Sequence, residues 1–219
     1  NDFLDGGADS DTLGGAQGDD QMYGGAGNDN MFGDSGRDRM YGESGNDNMQ
    51  GGANNDIVNG GSGNDTMTGG DGIDLMGGAQ GDDVMAGDAG HDNMYGNGGN
   101  DNMNGGAGND FMEGHDGNDI MRGSSGNDRI NGGLGDDNLG GGAGADRFIF
   151  QNGWGDDIIA DFENGIDIID MSDVAGVDSF ADLTVTFSAG STFVSFQGDE
   201  IRLFAENIAN IGAEDFIFA

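Results

Sequence analysis

The 219 residues include no cysteine and no proline. Without cysteine there is no disulfide and no thiolate metal site to brace a fold, and the redox compartment goes unmarked. Basic residues are nearly missing: six arginines stand against 42 acidic residues, for a formal charge of -36. Nucleic acid is thereby excluded as a partner, since binding phosphate requires the opposite sign. An anionic membrane surface would repel the chain, and no stretch approaches the roughly 18 apolar residues of a spanning helix, so a soluble chain without membrane insertion is expected. The opening NDFLDGG has neither a basic segment nor an apolar run, so it does not read as a cleavable secretory signal. Histidine is limited to His91 and His115, which fall at different points of the pattern described next. HExxH, GxSxG and the EF-hand loop are all absent, so no known catalytic constellation is legible.

What is present is a period. Aspartate recurs every nine residues at Asp2, Asp11, Asp20, Asp29, Asp38, Asp47, Asp56, Asp65, Asp74, Asp83, Asp92, Asp101, Asp110, Asp119, Asp128, Asp137 and Asp146. A glycine precedes each of the last sixteen by five residues, from Gly6 to Gly141, and an apolar side chain follows two residues later, from Leu13 to Phe148. Such a fixed spacing indicates a solenoid. Collagen is excluded because the period is nine and not three, and a flexible acidic tail is disfavoured because the apolar positions never slip phase. Asp2 and Leu4 already occupy repeat positions, so further sequence upstream is expected. Counted from its first glycine, each unit has six turn-like residues and then three strand-like ones, as in GGAGND followed by NMF. The fourth position is glycine in fourteen of sixteen units: Gly18, Gly27, Gly36, Gly45, Gly63, Gly72, Gly81, Gly90, Gly99, Gly108, Gly117, Gly126, Gly135 and Gly144. Asp9 and Asn54, the two exceptions, are residue types that best tolerate a left-handed backbone.

The unit, whether GGAGNDNMF from Gly24 to Phe32 or GGSGNDTMT from Gly60 to Thr68, resembles the nonapeptide of the RTX (repeats-in-toxin, haemolysin-type calcium-binding) family. The resemblance covers about two thirds of the chain. It implies an all-β fold, a parallel β-roll over residues 1–149, in which two nonapeptides make one coil and each turn stacks on the turn 18 residues away. It also implies that the periodic aspartates and the carbonyls of the fourth-position glycines hold Ca2+.

Electrostatics supports the same reading. Stacked strands lie about 4.8 Å apart, and two like charges at that distance repel by about 0.9 kcal/mol even in water. Over the two columns this reaches about 12 kcal/mol, comparable to the whole stability of a domain. A hard divalent cation between layers reverses the sign, and calcium accepts six to eight oxygens at flexible geometry. One apolar residue per nonapeptide does not offset the ordering of so glycine-rich a chain, so ligation and folding are expected to be one event. Counting gaps between stacked repeats gives about fourteen ions, which would bring the formal -36 to about -8. Eleven of the sixteen apolar positions are methionine, among them Met22, Met31, Met40, Met49, Met67 and Met121, read as a flexible filling for a narrow core in preference to copper ligands. Tyr23 and Tyr41, and likewise Ile57 and Leu75, should be neighbours on one outer face.

After Asp146 the period stops. Alternating stretches at Leu183–Phe187, Ser191–Phe196, Glu200–Phe204 and Asp215–Phe218 predict a small antiparallel β cap over residues 150–219, closing the open edge of the roll. This segment is similar to the C-terminal region of type I secreted RTX proteins of the serralysin and alginate epimerase kind. Asp157, Ile159, Asp161 and Phe162 match DxIxDF; Gly165, Asp167, Ile169, Asp170, Met171 and Ser172 match GxDxIDLS with methionine for leucine. EDFIFA, Glu214 to Ala219, resembles an uncleaved export signal. The expectation is a non-catalytic, calcium-binding, secreted and extracellular module, whose partners are calcium and a type I secretion apparatus and which supports a larger protein. It is expected to be monomeric, with self-association left open. Two alternatives remain: the tail of a secreted metalloprotease, lipase or epimerase, and an adhesive or surface-matrix protein.

Overall fold

Strands recur every nine residues from β1 (Phe3–Gly7) and β2 (Thr12–Gly14) to β16 (Asn138–Ala143), in a computed structural model that describes residues 1–188, 190–204 and 211–219. Odd-numbered strands form one sheet and even-numbered strands the other. Both are parallel through this region, each residue facing the one 18 further on, as Met31 faces Met49 and Met40 faces Val58. Two nonapeptides thus make one coil of a parallel β-roll.

The strands are longer than the sequence suggested. Asn30–Ser35, for example, spans NMFGDS, taking in three residues of the glycine-rich half, and the turn shrinks to positions four to six. Parallel pairing uses only backbone groups, which glycine supplies as well as any residue. Alternation of facing also continues through the first glycine, which points inward beside the methionine: Met31 and Gly33 are buried, Asn30 exposed and Phe32 half-buried. The interior of each coil therefore consists of one long side chain and one glycine per strand. Met22 through Met121 are all but fully enclosed in it, and an unbranched, flexible thioether fits so thin a layer.

The left-handed backbone was expected at the fourth position, and thirteen of its fourteen glycines have positive φ, Gly90 being the exception. Asn54 joins them at φ 80°, whereas Asp9 does not. Unforeseen was the second position, where φ is positive in every unit from Gly7 to Gly142, including eight that are not glycine, such as Glu43 (73°), His115 (76°) and Ser124 (79°). There the strand bends around the inward first glycine, and the fold carries the strain of side chains in that region.

Beyond Asp146 both sheets continue without a break. β17 (Arg147–Gln151) and β19 (Ile168–Asp173) extend the odd sheet, and β18 (Asp156–Ile159) extends the even one. Antiparallel pairing is confined to β20 (Thr184–Ser188), β21 (Ser191–Phe196) and β22 (Asp199–Leu203), of which β22 also joins β18 in parallel. The last expected strand, β23 (Phe216–Ile217), adds to β19 in parallel and not to an antiparallel cap, because the roll's own edge is the nearest unpaired ladder. Here the core widens to take Phe148, Phe150, Trp154, Phe162, Val194 and Leu203. Among the described residues no helix is long and apolar enough to cross a membrane.

Candidate metal centre

Each three-residue turn is tied to its neighbours by two side-chain ladders that run in opposite directions. At position six the aspartate of one layer accepts a hydrogen bond, on Oδ1, from the backbone N–H of the aspartate one layer earlier: Asp38 from Asp20, Asp47 from Asp29, Asp74 from Asp56, all at 2.8 Å. At position five the side chain accepts from the backbone N–H one layer later: Asn28 from Asn46 at 2.9 Å and Asn100 from Asn118 at 2.9 Å. This explains the preference for asparagine and aspartate before the periodic aspartate, which sequence reasoning left unused. His91 serves the same purpose, its Nδ1 accepting from the Asn109 N–H at 2.6 Å. His115 instead stands on the outer face, 3.8 Å from Glu113, so the two histidines form no common site.

The second carboxylate oxygen has no such partner. From Asp20 to Asp146, fifteen periodic aspartates are at most 3% exposed, and in every one Oδ2 is buried and makes no hydrogen bond. The space around it is cleared by the first glycine of the unit. A β-carbon on Gly24 would lie 2.5 Å from Asp29 Oδ2 and 2.9 Å from the Gly42 carbonyl oxygen, so two oxygen acceptors approach one point. At position four, a β-carbon on Gly45 would overlap the Gly27 carbonyl oxygen, so turns stacked this closely favour glycine there, with Asp9 and Asn54 the two departures. Asp2 and Asp11, at the first coil, are exposed and half-exposed respectively.

From Asp38 on, burial pushes the periodic carboxyls up against the opposing effect of their backbone hydrogen bonds, and nearby aspartates add to it: Asp56, Asp65, Asp101 and Asp128 rise to about 7, Asp119 and Asp137 to about 6. A row of desolvated, half-satisfied carboxylates calls for a cation. Among the described residues no three His, Cys, Asp or Glu side chains converge on one point. The groups that could hold a cation here are carboxylate and backbone carbonyl, all oxygen, which suits a hard ion such as calcium and not a soft transition metal.

The columns do not end with the repeats. Asp157 accepts from the Asp137 N–H at 2.8 Å and Asp167 from the Asp146 N–H at 2.9 Å, and both are 2% exposed. Burial, with Asp137 nearby, raises the Asp157 carboxyl to about 9. Sequence spacing hid this continuation, because the steps lengthen from 18 residues to 20 and 21. The other motif residues have separate duties. Asp161 accepts from the Gly141 and Gly142 N–H groups at 3.0 Å, and Phe162 fills the core. Asp170 is held below the usual carboxylate range: burial opposes its ionisation, but bonds from Ser172 and Arg147 prevail.

The sequence model for the RTX calcium-binding nonapeptide repeat (4 copies) matches residues 1–22, 14–49, 41–76, 77–112 and 113–148. The chain belongs to the RTX family. Repeats of this family bind Ca2+, and the fifteen unpartnered oxygens fit that ion. No curated protein matches the chain. Among solved structures, the AlgE6R3 subunit of the Azotobacter vinelandii mannuronan C5-epimerase is 30% identical, over 55% of this chain and 79% of that one, with a TM-score of 0.46. The AlgE6R2 subunit of the same enzyme is 26% identical, over 57% and 91%, with a TM-score of 0.45. The extracellular lipase LipA of Serratia marcescens is 17% identical, with a TM-score of 0.44; 89% of this chain aligns with it, spanning 45% of the lipase.

Proposed function

We propose that this RTX module winds up on calcium, with Asp20 to Asp146 and the turn carbonyls of the glycine-rich positions as its ligands. The observation that carries this reading is the run of fifteen buried Oδ2 atoms without a partner. Bound calcium supplies two positive charges to each pair of layers and so cancels the repulsion along the column. The aspartates orient the turns through Oδ1 and present Oδ2 to the ion, while first-position glycines leave room for it. One ion per unpartnered oxygen gives fifteen, close to the fourteen counted from repeat spacing. Residues 1–149 then form the calcium-dependent roll and 150–219 its hydrophobic closure, with Asp157 and Asp167 as the last rungs. Extracellular modules of this kind bind calcium at about 10⁻⁴ to 10⁻³ M, so the chain stays open in a calcium-poor cytosol and closes outside.

We read the module itself as non-catalytic and as serving secretion and stability of a larger extracellular protein. The terminal Glu214–Ala219 is proposed as a type I export signal. Asp215 is fully buried and accepts from the Gly165 and Gly212 N–H groups at 3.1 and 2.9 Å, and Phe216 pairs with Ile169. The export apparatus would then read this segment before the roll closes over it. Circular dichroism with and without a chelator tests the calcium reading: strand signal should appear on titration and saturate near fifteen ions per chain. Equal strand content in both conditions would overturn it.

A further inference from the structure

The long side chains inside the repeats are nearly all of one type. Along the even sheet Met31, Met49, Met67, Met85, Met103 and Met121 stack in an unbroken row, each paired with the next through its strand. Along the odd sheet Met22 and Met40 are followed by Val58 and then by Met76, Met94 and Met112. All eleven are at most 1% exposed. The position does not demand methionine, since Leu13, Val58, Ile130, Leu139 and Phe148 fill it and are buried as well. Apart from Val58 these stand at the two ends of the roll, so the thioethers are gathered in its middle. With no cysteine in the chain, no thiol competes with them for a peroxide.

Oxidation would change what this interior can hold. The inward side of a repeat strand and the residue before it reads aspartate, methionine, glycine, as in Asp65, Met67 and Gly69. Asp65 Oδ2 in that row is already an acceptor without a donor, and the strand N–H groups are spent on the ladders to the coils on either side. A sulfoxide oxygen would enter the row as a further strong acceptor with no donor to meet it.

We propose that the methionine rows are oxidation sites gated by winding: a peroxide converts the thioethers of the open chain to sulfoxides, which then keep the coils from closing, whereas the wound roll is shielded. In each step the sulfur attacks one peroxide oxygen, and the S–O bond forms as the O–O bond breaks. The departing hydroxide takes the proton of the sulfur-bound oxygen and leaves as water. The sulfur thereby gives up two electrons, which reduce the peroxide. The product is a polar group where a flexible apolar one had packed, and methionine sulfoxide reductases can reverse the change. This gating rests on the calcium reading, which supplies the open state. Oxidation before calcium arrives would hold the rod open, and the same exposure afterwards would leave it intact.

The test treats the chain with hydrogen peroxide in chelator and in saturating calcium, and counts added oxygens by intact mass. In chelator the chain should gain at least eleven; calcium should slow that gain by at least about tenfold. Once peroxide is removed, the oxidised chain should need at least about tenfold more calcium to show strand signal. Treatment with the two methionine sulfoxide reductases, one for each sulfoxide epimer, should restore the original midpoint. A variant with all eleven repeat methionines changed to leucine, the residue already buried at Leu13 and Leu139, should wind on calcium alike before and after peroxide. Should that variant fail to fold, the reductase step decides. Equal oxidation in the two conditions, an unchanged midpoint after oxidation, no recovery on reduction, or equal damage in the leucine variant would each overturn the proposal. An untreated chain that gains no strand signal with calcium would instead sink the calcium reading.

Discussion

Between Gln21 and Ala143 every coil encloses two apolar side chains and two aspartates, whereas between Arg147 and Phe216 the same two sheets enclose Phe148, Phe150, Trp154, Phe162 and ten further apolar groups. The repeats have a core one side chain thick, which hydrophobic burial alone does little to hold against the entropy of a glycine-rich chain. The C-terminal segment has a core of ordinary thickness with aromatic contacts such as Phe150 edge-on to Trp154 at 5.8 Å. On the calcium reading, one architecture thus draws on two sources of cohesion: oxygen ligands along its length and apolar packing at its end. The contrast teaches that a continuous sheet need not be uniformly stable.

The largest effect should come from calcium removal. A chelator should abolish most strand signal, and because Trp154 sits where the two regimes meet, its fluorescence should show whether the closure outlasts the roll; unchanged spectra would erase the contrast. Acidification without calcium should act in the opposite direction. The folded carboxyls of Asp56, Asp65, Asp101 and Asp128 lie near 7, above the ordinary 3.8, so between those values the folded roll binds protons that the unfolded chain does not. Stability of the metal-free roll should rise as pH falls from about 7 towards 4 and be lost as pH rises again. In calcium the same protons compete with the ion, so the calcium midpoint should climb over that range; a midpoint flat with pH counts against protonation at these sites.

Packing and ligation should then be separable by substitution. Phe162→Ala should cost about 3–5 kcal/mol in urea unfolding at saturating calcium, with little change in the number of ions bound. Asp83→Asn keeps an acceptor for the Asp65 N–H but loses the charge. It should raise the calcium midpoint several-fold and reduce the stoichiometry, while metal-free behaviour hardly changes. The smallest effect belongs to the strained second positions. Glu43→Gly should stabilise the calcium-bound roll by about 1 kcal/mol, and a loss there would show that the left-handed bend is not under strain.

Much of this was legible beforehand because a strict period transmits geometry directly. Once Asp20 and Asp38 are known to stack, so are Met22 and Met40 or Tyr23 and Tyr41, and the row of buried aspartates follows. What escaped was whatever the period does not encode in a side chain. Strand extent was hidden because glycines pair through backbone alone. The bend at position two was hidden because glutamate, histidine and serine occupy it as well as glycine. The continuation of the columns through Asp157 and Asp167 was masked by insertions that break the count without breaking the stack. The final strand read as antiparallel because alternation gives the period of a strand but not the direction of its partner.

The 18-residue pairing carries a rule about how such a rod can change length. Gain or loss of two units adds or removes one whole turn and leaves every downstream residue on its own side. Gain or loss of a single unit would move everything after it to the opposite face relative to everything before it; one unit added between Tyr23 and Tyr41, for example, would set those stacked rings on different sheets. Variation in chain length among rods of this build should accordingly come in even steps.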